Sequence, residues 1–532
     1  MKKLLLSCLA IAMLSLPVSA QYYSPVLGGE LSNSAATSVA DIDEVMPRMK
    51  AIGLNTVLVP AYWELIEPEE GSFDFTTVDR VIDRARENSL KVIFLWFGAW
   101  KNSMSCYAPL WFKRDTKRFP RAMTRTGKPL EIASCFSDNV LQADLRAFTK
   151  FMEQIAAKNR NDKVVTMIQI ENEIGMLEDA RDHSPLAEKV YRQQVPAKLL
   201  KALKMNKKGT WSEVFGHDVY ADEKFMAYHY ACYVEHLAKQ ARQIYDVPLY
   251  VNAAMNSRGR KPGEYPSAGP LAHLIDFWRC GAPTIDFIAP DIYDAGFKGW
   301  AARYALPGNP LFIPETRCNS NAALRALYTI GEYRALGFSP FAIDQAPDNV
   351  TDQITQSYRL INQLTPLLNR HPCSWGLLFD QSDKERIIDD DGLCMTARHF
   401  FTLPWDSRAT DGTTWPEGGG MIIRLAKHEY IVAGNGLVVE FQTRSERQQH
   451  EAKVLGEDGF ADAGKQTQQS SAVNKPFTGK RLGLGYVDQV SVSQDGTLHY
   501  IRRDNGDQSH QGRHARISVG EYKILHIKLY EY

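Results

Sequence analysis

Val164-Val165-Thr166-Met167-Ile168-Gln169-Ile170-Glu171 is a short apolar, β-branched run, and it breaks off into Asn172-Glu173. A run of this length and composition predicts a buried strand, with polar groups set at its C-terminal end. It is the fourth of eight such runs. The others are Val26–Gly29, Asn55–Pro60, Lys91–Phe97, Pro248–Asn252, Ile285–Asp291, Pro310–Glu315 and Ser339–Asp344. Between them the apolar period changes to that of helices. Val78, Val81, Ile82 and Ala85 recur at i, i+3, i+4 and i+7, as do Leu141, Leu145, Phe148, Met152 and Ile155, and Phe225 to Tyr245 and Ala322 to Leu336 continue the pattern. Eight strand–helix alternations predict an α/β fold, a (β/α)8 TIM barrel spanning 21–372. A doubly wound open sheet has the same alternation, but no Gly-rich phosphate loop follows the first strands.

After His371 the helical period stops. Asn435-Gly436, Asp495-Gly496 and Asn505-Gly506 predict tight hairpins, and Gly418-Gly419-Gly420 leads into the apolar run Met421–Leu425. The chain closes with Leu525, Ile527 and Leu529 alternating with His526 and Lys528. These features predict a smaller all-β, sandwich-like domain over 373–532, with a loop at Gln466 to Ser471.

At the other end, Lys2-Lys3, the apolar run Leu4 to Leu16 and Val18-Ser19-Ala20 form a secretory signal, so 1–20 are expected to be removed and the protein exported, periplasmic or secreted. The apolar stretch before Cys8 is too short for lipoprotein anchoring. No later run is long enough to span a membrane. Lys+Arg and Asp+Glu are both 62, so a nucleic acid partner is disfavoured. The seven cysteines after Cys8 are scattered and odd in number, which argues against a disulfide framework or a zinc knuckle while leaving one bridge open. Most are expected to be small buried side chains. No G-x-S-x-G, H-x-H or H-E-x-x-H occurs, so a serine hydrolase or a metal hydrolase is disfavoured, and no metal or cofactor is expected.

In such a barrel the C-terminal strand ends carry the chemistry. The fourth strand ends in Asn172-Glu173, and the seventh in Glu315-Thr316-Arg317. Strands four and seven face each other across the mouth, so the two carboxyls can converge on one bond. Glycoside hydrolysis needs such a pair: one carboxyl protonates the leaving oxygen, and the other attacks the anomeric carbon or activates water. Asn172 adds an amide able to hold a sugar hydroxyl.

Three stretches resemble glycoside hydrolase family 35, the β-galactosidases: Gly28-Gly29-Glu30-Leu31-Ser32-Asn33-Ser34; Tyr62-Trp63-Glu64-Leu65-Ile66-Glu67-Pro68 with Gly71-Ser72-Phe73-Asp74-Phe75; and Gln169 to Gly175. The resemblance covers roughly 24–370. It implies Glu173 as acid/base and Glu315 as nucleophile of a retaining, exo-acting β-galactosidase. Glu173 is then expected to have a raised pKa and Glu315 to be ionised, with the carboxyls about 5–5.5 Å apart. Three features depart from the family: Ile174 in place of Tyr, Pro314-Glu315-Thr316-Arg317-Cys318 at the nucleophile, and Gly98-Ala99-Trp100-Lys101-Asn102 where a Cys-x-Glu-Trp segment binds galactose. A related sugar (glucoside or arabinopyranoside) and a non-hydrolytic carbohydrate-binding barrel are the alternatives.

Further substrate-binding candidates at strand ends are Tyr62, Glu64, Trp100, Lys101, Asn102, Asn252, Asp291 and Tyr293, the last placed to bond Glu315. The basic insert from Ser103 to Asn139, with Trp111, Lys113, Arg114, Arg118 and Arg121, either shapes a leaving-group subsite or is a solvated loop. Whether the β domain binds glycan, seals the barrel or forms a homodimer stays open.

Overall fold

The computed structural model describes residues 22–532 except 160–161, 257, 404, 407–413 and 451–478. The signal segment with Cys8 and the loop expected at Gln466 to Ser471 lie outside the described residues. The barrel strands are β1 Val26–Glu30, β2 Thr56–Tyr62, β3 Lys91–Lys101, β4 Val165–Asn172, β5 Leu249–Ala254, β6 Phe287–Ile292, β7 in two pieces, Phe312–Ile313 and Glu315–Thr316, and β8 Gly337–Phe338.

Each strand pairs in parallel with the next. The pieces of β7 divide their partners: Glu315–Thr316 pairs with β6, Phe312–Ile313 pairs with β8, and β8 returns to β1, so the barrel closes. Pro314 stands at the division. It has no N–H to give to a ladder, so the strand changes neighbours there.

β8 is shorter and earlier than the expected Ser339–Asp344. Gly337 packs so tightly that a Cβ there would stand 2.4 Å from Val26 Cβ. Downstream, the Asp344 carboxylate accepts from Ser32 N–H at 2.6 Å and Ser32 Oγ at 2.7 Å. That pull winds Ile343–Gln345 into a 3-10 turn instead of extending it.

The helices form where the period places them. Thr76–Glu87 buries Val78, Val81, Ile82 and Ala85. Asp138–Lys158, Val219–Ile244 and Ser320–Tyr333 follow β3, β4 and β7, the first two capped by the side chains of Ser137 and Asp218. On Asp138–Lys158 the buried stripe runs through Ala147, Phe148 and Phe151, leaving Leu141 and Leu145 half-buried.

The last barrel helix, Asp348–Arg370, leads directly to the strand Ser374–Phe379, and from there the chain is antiparallel β. A six-stranded and a four-stranded sheet form two layers around Leu377, Met395, Ile422, Val439, Leu525 and Ile527. Asp495-Gly496 makes the expected hairpin between Leu482–Val492 and Leu498–Arg503. Asn435-Gly436 does not. Glu429–Asn435 belongs to the larger sheet and Leu437–Thr443 to the smaller, so this dipeptide is the corner where the chain crosses between layers.

The two regions are packed together. Helix Ser320–Tyr333 lies on the larger sheet, and a Cβ at Gly331 would meet Met421 Cβ at 2.5 Å. Arg325 grips Glu417 bidentately at 2.6 and 3.1 Å.

Among the described residues all seven cysteines are unpaired, and only Cys394 is buried while Cys106 is exposed. No described helix is long and apolar enough to cross a membrane.

Candidate active site

Glu173 follows directly on β4. Its φ is +47°, and Glu171, two residues earlier, is at +57°, conformations uncommon for side-chain-bearing residues and often found at functional sites. Neighbouring strand ends hold this backbone. Asn252 Oδ1 on β5 accepts the Glu173 N–H at 2.9 Å, and the Ser103 N–H donates to the Glu173 carbonyl at 3.0 Å. The side chain, 6% exposed, accepts from Asn102 Nδ2.

Glu315 starts the second piece of β7, in register with Asp291 on β6. It is buried, and its Oε1 accepts from the Tyr293 hydroxyl, while Oε2 has no partner. One carboxylate oxygen each of Glu173, Asp291 and Glu315 lies within 4.8 Å of the other two. The facing carboxyls required by the strand count therefore meet.

Burial and the neighbouring Glu173 push Glu315 up to about 7, offset by Lys101 and by the Tyr293 hydrogen bond. The sequence argument assigned the raised pKa to Glu173. In the structure it is the nucleophile candidate, Glu315, that is raised, chiefly by its burial. Burial, Glu315 and Glu173 hold Asp291 well above the usual carboxylate range, and burial and Glu315 do the same to Glu30. The Lys101 ammonium acts in the opposite sense on both Glu315 and Glu30.

Of the substrate-binding candidates, Lys101, Asn102, Asn172, Asn252, Asp291 and Tyr293 gather around the two glutamates. Asn252 Nδ2 donates to Asp291 at 2.7 Å, and both polar atoms of the Asn172 amide are buried without a partner. Three candidates sit elsewhere. Tyr62 is buried against Phe97 and Tyr107. Glu64 lies on a short outward turn, 3.7 Å from Lys113. Trp100 packs edge-on against Tyr230 and Tyr233 of helix Val219–Ile244. The basic insert pairs its charges, Arg118 with Glu70 and Arg121 with Glu131, and packs Trp111 against Trp63 and Phe119.

Two features went unread in the sequence. Glu30 ends β1 and is buried in the cluster, although the strand-end rule applied to β4 and β7 points to it equally well. The second is a buried carboxyl pair, Glu171 and Asp144. Between β3 and β4 the register jumps from Trp96↔Ile170 to Lys101↔Asn172, so β3 carries extra residues as a wide bulge. Glu171 fills it, accepting the Trp100 N–H at 2.8 Å, and Asp144 accepts from Trp96 Nε1 at 2.9 Å and Tyr233 Oη at 2.8 Å. Burial and Asp144 hold Glu171 well above the usual carboxylate range. This plug aims Lys101 and Asn102 into the mouth.

Residues 35–222 match the family model Glyco_hydro_42, described as Beta-galactosidase. The match takes in β2 to β4 and the start of helix Val219–Ile244. The match is not to family 35, whose motifs the sequence resembles, so the likeness holds at the level of the glycosidase clan. Residues 354–516 match a domain of unknown function, DUF5597, which takes in the later part of the last barrel helix as well as much of the β region. No curated protein matches the chain.

Similar solved structures include a β-galactosidase from the psychrophilic Marinomonas ef1 (14% identity, 64% of this chain and 60% of that one, TM-score 0.48). Another is a β-galactosidase from the Antarctic haloarchaeon Halorubrum lacusprofundi (16%, 63% and 58%, 0.47). A third is the catalytic domain of a β-amylase from Paenibacillus polymyxa (12%, 62% and 96%, 0.46). The chain thus spans less than two thirds of the length of either galactosidase.

Proposed function

We propose that the protein is an exo-acting, retaining β-galactosidase that releases terminal β-D-galactose from exported or extracellular oligo- and polysaccharides. The observation that carries this is the approach of Glu173 and Glu315 to within 4.8 Å, which favours direct attack by a carboxylate over the wider spacing that admits a water. Tyr293 occupies Glu315 Oε1, leaving Oε2 as the attacking oxygen. Oε2 bonds to the anomeric carbon as the glycosidic C–O bond breaks, and the Glu173 proton passes to the leaving oxygen. Water then attacks the same carbon, gives its proton to Glu173 and frees Glu315. Both polar atoms of the Asn172 amide are buried without partners, and sugar hydroxyls would satisfy them.

A panel of aryl β-glycosides tests this on wild type and Glu315→Gln. Galactoside turnover that is lost in the variant supports the proposal. Preference for a glucoside or arabinopyranoside would reassign the sugar, and no turnover of any glycoside would favour a carbohydrate-binding barrel.

A further inference from the structure

The larger β sheet lies between the barrel and the smaller sheet, meeting the first through Met421 and the second through Ile422. The smaller sheet therefore turns its outer face to solvent. Ala397, Val439 and Ala515 form a row across its strands and point into the core. Side chains alternate along a strand, so the adjacent row, Arg398, Val438 and Arg516, points outward, and so does the pair Glu440 and His514. Trp405 and His510 lie over these rows. The Trp405 ring stands 4.7 Å from the His510 ring and 6.0 Å from the His514 ring, with the planes 30° and 17° apart. The Arg516 guanidinium lies 5.9 Å from the same indole. Trp405 is 52% exposed, whereas every other tryptophan among the described residues is buried or half-buried.

The charges of this face do not balance. Glu440 answers Arg398. Arg513 and Arg516 form no ion pair with the described residues: Arg513 Nη1 donates to His510 Nε2 at 3.2 Å, and Arg516 Nη2 to the Asp507 carbonyl at 2.6 Å. His514 Nε2 and Arg398 Nε are buried without a partner, where such groups are ordinarily satisfied. The turn that brings His510 to the indole runs through two left-handed residues, His510 at φ +49° and Gln511 at +52°. An exposed aromatic plane beside two unanswered guanidinium groups suits a ligand with an apolar face and an anionic group. A sugar ring has the first in its C–H face, and a carboxylate or sulfate matches the guanidinium fork. We propose that this face of the β domain is a second carbohydrate-binding site, apart from the barrel mouth, that takes an acidic sugar: the ring lies on Trp405, and Arg513 and Arg516 hold its carboxylate or sulfate. That the ligand is a sugar rests on the glycosidase reading of the barrel, whereas its negative charge follows from the arginines.

The test is calorimetric titration of the full chain with trigalacturonate, its uncharged methyl ester and a sulfated galactotriose. The first and third separate a carboxylate from a sulfate as the group recognised. At least one acidic ligand should bind about tenfold or more tightly than the methyl ester, and added salt should weaken it. Trp405→Ala and the double variant Arg513→Gln/Arg516→Gln should each lose about tenfold or more of that affinity. Trp405→Phe, which keeps an aromatic plane, should retain most of it, a rescue that a general lesion would not show. Equal binding of the methyl ester, no binding of either acidic ligand, or unchanged affinity in the variants would overturn the inference. So would tighter binding of a single-stranded oligonucleotide than of either acidic sugar. Aryl galactoside turnover, measured alongside, should be the same in these variants as in wild type. Acidic sugar bound through Trp405 with no turnover of any glycoside would sink the glycosidase reading and leave this site standing. Turnover without such binding would do the reverse.

Discussion

Removing the Tyr293 hydroxyl should move the pH dependence of the reaction without abolishing it. In Tyr293→Phe the ring remains and Glu315 loses a donor to its Oε1. A hydrogen bond to a charged group contributes about 1.5–3 kcal/mol, and about 1.4 kcal/mol corresponds to one pKa unit. Tyr293 is 37% exposed, so the lower end applies and the shift is about one unit. The sign follows from the charge. The hydroxyl stabilises the carboxylate, so its loss raises Glu315 from about 7 toward 8. Only ionised Glu315 attacks, so kcat/KM near pH 6 should fall about ninefold, while the rate near pH 9 should stay within about twofold. The assay is kcat/KM for an activated aryl galactoside across pH. A decrease of equal size at every pH would refute this reasoning, because it would mean the phenol holds the substrate and leaves Glu315 unaffected.

Glu173→Ala should lower kcat/KM for substrates with poor leaving groups by about 10²–10⁴-fold and largely spare bond cleavage in a dinitrophenyl galactoside, as a leaving-group series will show. Arg325→Ala leaves Glu417 in a nearly closed interface without its guanidinium, and a loss of about 3–5 kcal/mol is expected in denaturant melts. Gly331→Val forces side-chain atoms against Met421 between helix and sheet and should cost about 1–3 kcal/mol by the same measurement, with kcat little changed.

Strand counting made the barrel legible, because its buried runs and helical stripes differ in period, and it placed Glu173 and Glu315 where they meet. Local chemistry was less visible. β8 depends on the fit of Gly337 against Val26 and on the Ser32–Asp344 bonds, contacts about 310 residues apart in the chain that no local pattern records. The same holds for the Glu171–Asp144 plug, since a strand-end carboxylate and a helical aspartate show their pairing only once the bulge in β3 brings them together. Asn435-Gly436 has hairpin chemistry but joins two layers, because a positive φ suits a corner as well as a tight turn. Trp100 misled for a different reason. The bulge that carries Lys101 and Asn102 into the mouth turns its indole toward the helix behind.

The stereochemistry of the first product tests the central claim most directly. Proton NMR of a β-galactoside digest, recorded before mutarotation, should show β-galactose appearing first, as double displacement through Glu315 requires. Initial release of α-galactose would contradict it, making Glu315 a base for water and not a nucleophile.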